Sequence, residues 1–178
     1  MIVLSIRNVA AAAARAGARL IHVSTDLVFD GEHGAPYREE DEPRPISAYG
    51  RAKLEAERLV DGLIVRTSLL YGKDEPGPQE RLATDPKATF YVDEIRCPTR
   101  VDELAGALLE LAGADVSGVL HVAGPEAVSR LEFARFLGAP DPRGMPAPPG
   151  RARNVALDSS RAGSLLTAPL TGLRRLLQ

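Results

Sequence analysis

With Cys97 as its only cysteine, the chain cannot build an internal disulfide or a thiolate zinc site. The thiol is expected to be buried and inert. No apolar stretch approaches the roughly 20 residues that a membrane-spanning helix needs, and no basic start leads into an apolar run with a small-residue cleavage site. A cytoplasmic protein is the expectation. Charge of one sign is missing as well. The 22 basic and 24 acidic side chains nearly cancel and are scattered along the chain, which argues against nucleic acid or an anionic membrane surface as partner. Metal chemistry has little to build on. Glu39-Glu40-Asp41 reads as a solvated loop, and His33 and His121 show no metal-ligand spacing, so no metal site is expected. Internal repeats and low-complexity tails are absent.

What is present is a chain of 178 residues, 44% hydrophobic, enough for one domain with a real core. It is read as a single unit, 1–178, with 1–72 carrying the chemistry and 73–178 forming the remainder of the sheet and a smaller substrate-side lobe. Residues 6–17 are Ala-rich with Val9 and Ala13 on one face, and Gly17 fits a helix stop. Residues 20–24 form a short, mostly apolar run suited to a buried parallel strand. Residues 30–47, rich in Gly, Pro and charge, read as a long functional loop. Ser47 can cap a helix from 48 to about 61, and residues 63–67 are the next strand. This rhythm belongs to a doubly wound α/β sheet. Further on, 89–92 and 119–122 read as strands, 101–111 and 131–137 as helices, 140–149 as a loop, and the chain closes on a helix near Leu173.

Tyr49 and Lys53 stand four residues apart at the start of the capped helix, so their side chains share one face. An ammonium close to a phenol lowers the phenol's pKa from about 10 and makes it a usable proton donor and acceptor. Ser24 and Thr25 lie at the C-terminal end of a strand, where open parallel sheets place their ligand sites. A hydroxyl there can hold a carbonyl oxygen beside the Tyr. The pair alone is compatible with a solvated helix face, but a strand ending in Ser-Thr-Asp, a long loop and a Ser-capped helix precede it in order. His22 reads as a packed or hydrogen-bonded core side chain.

His22-Val23-Ser24-Thr25-Asp26-Leu27-Val28-Phe29-Asp30-Gly31, with Pro36-Tyr37, Ala48-Tyr49-Gly50, Lys53-Leu54-Glu55-Ala56-Glu57 and Val65-Arg66-Thr67-Ser68, resembles the extended short-chain dehydrogenase/reductase family. Within that family the similarity is to dTDP-4-dehydrorhamnose reductases. Cys97-Pro98-Thr99 is similar to the segment that enters their substrate lobe. The resemblance implies reduction of a 4-keto-6-deoxy sugar nucleotide with NADPH or NADH, on the path to dTDP-L-rhamnose. It gives Tyr49 the role of proton donor, Lys53 that of holding the nicotinamide ribose and tuning Tyr49, and Thr25 that of orienting the oxygen. Ser24, Tyr49, Lys53 and Arg66 would face the cofactor. Thr25, Asp26, Thr67 and Asn154 would face the substrate. Leu27 replaces a Tyr that is common in the family, and Ala152 and Val155 depart from the pattern around Asn154.

A complete dinucleotide-binding unit opens on a strand and a glycine-rich turn that brings backbone N–H groups to the pyrophosphate. No such turn occurs in this sequence, and about sixty residues of the usual nucleotide half have no counterpart. Residues 1–4 could be a vestigial strand. The expected fold is therefore a partial Rossmann-like parallel sheet flanked by helices, lacking the first βαβ units, with a small C-terminal lobe. Its exposed sheet edge calls for a second copy or a partner chain. A non-catalytic sugar-nucleotide-binding or protein-interaction module is the alternative reading.

Overall fold

The computed structural model describes residues 2–34, 36–72, 76–168 and 170–173. Helix α1 (Ile2–Ala16) leads into strand β1 (Ile21–Thr25), a 3-10 turn (Asp26–Val28) and, after the long loop, helix α2 (Ala48–Glu57). Strands β2 (Leu63–Thr67) and β3 (Leu70–Tyr71), helix α3 (Pro78–Thr84), and strands β4 (Thr89–Tyr91), β5 (Ile95–Arg96) and β6 (Thr99–Arg100) follow. The chain continues through helix α4 (Val101–Gly113), strands β7 (Gly118–His121) and β8 (Val128–Ser129), helix α5 (Arg130–Phe136), strand β9 (Arg143–Met145) and helix α6 (Ser160–Leu165).

The main sheet is parallel in the order β1-β2-β7. Its register sets Val65 beside Val23 and Leu120, and Arg66 beside Ser24 and His121. Because side chains alternate along a strand, the sheet has two unlike faces. One presents Leu63, Val65 and Leu120 to Leu104, Ala107 and Leu111 of α4 and to Ala162 and Leu166 of α6. Burying such side chains contributes about 1.5–3 kcal/mol each. The other presents His22, Ser24, Arg66 and His121, all buried and polar, with α2 packed across β1. Two small pairs, parallel β3-β6 and antiparallel β5-β8, stand outside this sheet. A single bridge from Tyr37 to Leu157 ties the long loop to the C-terminal segment, and another joins Ile95 to Asn154.

Three expectations need correction. Residues 2–4 are the first turn of α1, which is helical from Ile2, so they form no vestigial strand; Met1 lies outside the described residues. Helix α2 ends at Glu57, four residues early. Leu59 and Val60 close tighter i to i−3 turns onto Ala56 and Glu57 so that Leu63 N–H can reach Leu20 O at 3.0 Å and open β2. Within the expected loop at 140–149, residues 143–145 form β9, paired in parallel with β4. Most of the helix expected near Leu173 falls outside the described residues. Among the described residues no helix is long and apolar enough to cross a membrane.

Candidate active site

Local chemistry explains why Tyr49 sits at the C-terminal end of β1. The Thr25 hydroxyl accepts from Leu27 N–H at 3.2 Å, starting the 3-10 turn. Ser47 caps α2 by accepting from Gly50 N–H at 2.9 Å. A Cβ on Gly50 would lie 2.0 Å from Leu27 O, so only glycine lets the first turn of α2 rest against the 3-10 turn. Tyr49, beside that contact, is half exposed, and its hydroxyl makes no hydrogen bond to another described residue.

The phenol of Tyr49 is held above its usual pKa of 10, first by burial and then by the Asp26 carboxylate, with Arg96 opposing. The expected tuning by Lys53 is not what acts on it. Lys53 turns toward the sheet instead, donating to Val23 O at 2.7 Å and standing 3.2 Å from His22 Nε2. Partial burial lowers the ammonium's pKa, and the Glu57 carboxylate works against that.

Glu57 joins the polar face together. Its carboxylate accepts from Ser24 Oγ and from Arg66 through Nε at 3.1 Å and a terminal nitrogen at 2.8 Å. Both partners of this ion pair are 4% exposed in their side chains. Arg66 also lies over the Phe29 ring, 5.2 Å from its centre. Ser24 and Arg66, expected beside the cofactor, are thus buried and committed to Glu57.

Asp26 is fully buried. It accepts from Arg96 through Nε at 2.6 Å and a second nitrogen, from Ser68 Oγ, and from the Thr25 hydroxyl at 3.1 Å. With every lone-pair direction occupied and no exposed surface, Asp26 is closed to the substrate contact that the resemblance implied. Thr67 is buried, and its hydroxyl has no partner among the described residues. Asn154 uses its side-chain oxygen on Ala156 N–H at 3.2 Å and its own N–H on Gly31 O at 3.3 Å. Gly31 there has φ of 85°, and a Cβ would fall 2.6 Å from Arg153 N. Beside Ser47, a cavity of about 120 Å³ is lined by Leu27, Ile46, Arg96, Arg151 and Ala152. The larger cavity of about 400 Å³, walled by Leu157, Ala162, Leu166 and Leu170, includes none of the expected site residues.

Sequence reasoning missed Glu57 and Arg96. Glu57 had a signal, since it follows Lys53 by four residues and so shares its helix face. Arg96 had none, because it reaches Asp26 across 70 residues of chain.

Known proteins are similar to this chain in sequence and in fold. The family model described as RmlD substrate binding domain matches residues 2–141. The dTDP-4-dehydrorhamnose reductase of Mycobacterium tuberculosis is 44% identical over 144 residues, which covers 72% of this chain and 47% of that protein. The crystal structure of a hypothetical dTDP-4-dehydrorhamnose reductase from Sulfolobus tokodaii superposes with a TM-score of 0.81 at 32% identity, covering 94% of this chain and 65% of that one. That of the Bacillus anthracis dTDP-4-dehydrorhamnose reductase in complex with NADP gives a TM-score of 0.84 at 27% identity, covering 98% and 69%. The chain spans about half the length of the curated relatives it matches. By fold and by sequence, then, this partial Rossmann-like chain belongs to the RmlD substrate binding domain family.

Proposed function

We propose that the chain carries the proton-transfer half of an NAD(P)H-dependent reductase that acts on a 4-keto-6-deoxy sugar nucleotide in dTDP-L-rhamnose formation. The observation that carries this reading is Tyr49 standing half exposed with an uncommitted hydroxyl at the C-terminal end of a parallel sheet. A phenol held above its usual pKa is protonated at neutral pH, which is the state that a donor to a carbonyl oxygen needs. Thr25 is assigned to orient that oxygen, which requires its single hydroxyl proton to turn from Asp26, where it rests in the free chain, to the carbonyl. The buried Arg66–Glu57 pair holds Ser24 and the floor of the site. The reading assigns Thr67 and Asn154 to the substrate side.

NADPH or NADH, when bound, supplies the hydride. The residues present fit the reacting end of that cofactor. Two protons of the Lys53 ammonium are given to β1, which leaves a third for a ribose hydroxyl. The reading treats the chain as one cytoplasmic unit. It also assigns a second copy or partner chain to the open side of β1, which has a strand neighbour on one side only among the described residues. Helix α1 supports that assignment, because none of its residues is buried and Leu4 and Val9 are exposed.

Calorimetric titration with NADPH, NADH and a dTDP-sugar tests the proposal, followed by a reduction assay with Tyr49→Phe as control. Cofactor binding weakened by the lack of a glycine-rich turn, and reduction lost in Tyr49→Phe, are expected. Sugar-nucleotide binding without cofactor binding would instead favour the non-catalytic binding module.

A further inference from the structure

We propose that His22 is a positioning residue for Lys53: its Nε2 accepts a hydrogen bond from the ammonium and, with the Val23 carbonyl, fixes where the remaining proton of Lys53 points. This rests on the functional reading of Lys53 given above. The geometry is specific. His22 and Ser24 project from β1 onto the face that α2 covers, and α2 answers with Lys53 and Glu57, one turn apart. Lys53 Nζ lies 3.2 Å from His22 Nε2 and 2.7 Å from Val23 O, so a single strand holds the ammonium through two acceptors on neighbouring residues.

For Nε2 to accept, the imidazole must be neutral with its proton on Nδ1. Its surroundings enforce that state. His22 is 6% exposed, and burial and the adjacent Lys53 charge both disfavour a second proton, with Glu57 alone opposing. An aliphatic side chain at this position would fill space but leave a half-buried ammonium short of an acceptor. A glutamine would keep a neutral acceptor oxygen at similar reach. A purely structural histidine would show no such distinction.

The test is competitive labelling with acetic anhydride across pH, read by mass spectrometry. Lys53 is followed against the exposed Lys87 in the unmodified chain, His22→Gln and His22→Leu. Loss of the acceptor disfavours the ammonium, so in His22→Leu the Lys53 labelling curve moves to lower pH by about half a unit. That is a roughly threefold gain in labelling below the midpoint. In His22→Gln the curve stays in place, and Lys87 stays in place throughout. Unfolding moves Lys53 the opposite way, toward the ordinary lysine value; should His22→Leu unfold, His22→Met takes its place. A Lys53 curve unchanged in the apolar variant, or one displaced equally by Gln, overturns the proposal. The labelling does not depend on turnover. Failure of the reductase reading would appear separately, as reduction that is absent or indifferent to Tyr49→Phe.

Discussion

The two faces of the β1-β2-β7 sheet are built from the same three strands and do opposite things. Toward α4 and α6 the sheet offers Leu63, Val65 and Leu120, an apolar surface whose contacts are interchangeable in kind. Toward α2 it offers His22, Ser24, Arg66 and His121, a row in which each side chain has a named partner, although Arg66 Nη1 and His121 Nε2 have none among the described residues. Apolar burial stabilises without regard to direction. Buried polar groups stabilise little on balance and cost several kcal/mol when orphaned. The polar face is therefore the one that fixes orientation, and it is the face from which Lys53 is held.

The sharpest way to break this comparison is to remove one charge of the buried pair. Arg66→Met strands the Glu57 carboxylate and should lower stability by about 3–5 kcal/mol, measured by urea denaturation. Adding Glu57→Leu should recover part of that loss, with Ser24 left short of its acceptor. Equal stability of the single and double variants would show that the pair is not mutually dependent. On the apolar face Leu120→Ala should cost roughly 2–5 kcal/mol, with no second substitution on the polar face able to compensate it.

A smaller effect comes from pH. Burial lowers the pKa values of both His22 and His121 below 6.5. Between their folded values and 6.5 the unfolded chain binds more protons, so stability rises with pH across that window. Their contribution is complete above about 6.5 and is lost as pH falls through the folded values. His22→Gln should flatten part of this slope in denaturation midpoints measured from pH 7.5 to 5. An unchanged slope would mean that His22 is as readily protonated folded as unfolded. The smallest stability effect belongs to Tyr49→Phe. Its half-exposed hydroxyl has no described partner, so the change should stay within about 0.5 kcal/mol while abolishing the proposed reduction. A large stability loss there would place the hydroxyl in the fold rather than in the chemistry.

Much of the frame was legible beforehand. Residues 63–67 read as a strand from their apolar run and form β2 over the same span. Ser47 read as a cap and does cap α2. What failed depended on neighbours that no local pattern contains. Residues 2–4 have strand-like side chains but extend an Ala-rich helix, because turns of a helix already formed propagate at low cost. Arg66 and Asp26, expected at an open site, are closed off by Glu57 and Arg96. Lys53, expected to tune Tyr49, is taken by acceptors on β1.

The sequence by itself determined the family, the α/β rhythm and the Tyr49/Lys53 helix face. These follow from short-range periodicity, capping and motif order, all of which are written within a few residues. Only the tertiary structure decided the charges around the phenol, the acceptors of the ammonium and which polar residues are spent inside. Those depend on segments up to 84 residues apart meeting in a medium of low polarity. There, burial and a single opposing charge set both a group's protonation state and its direction.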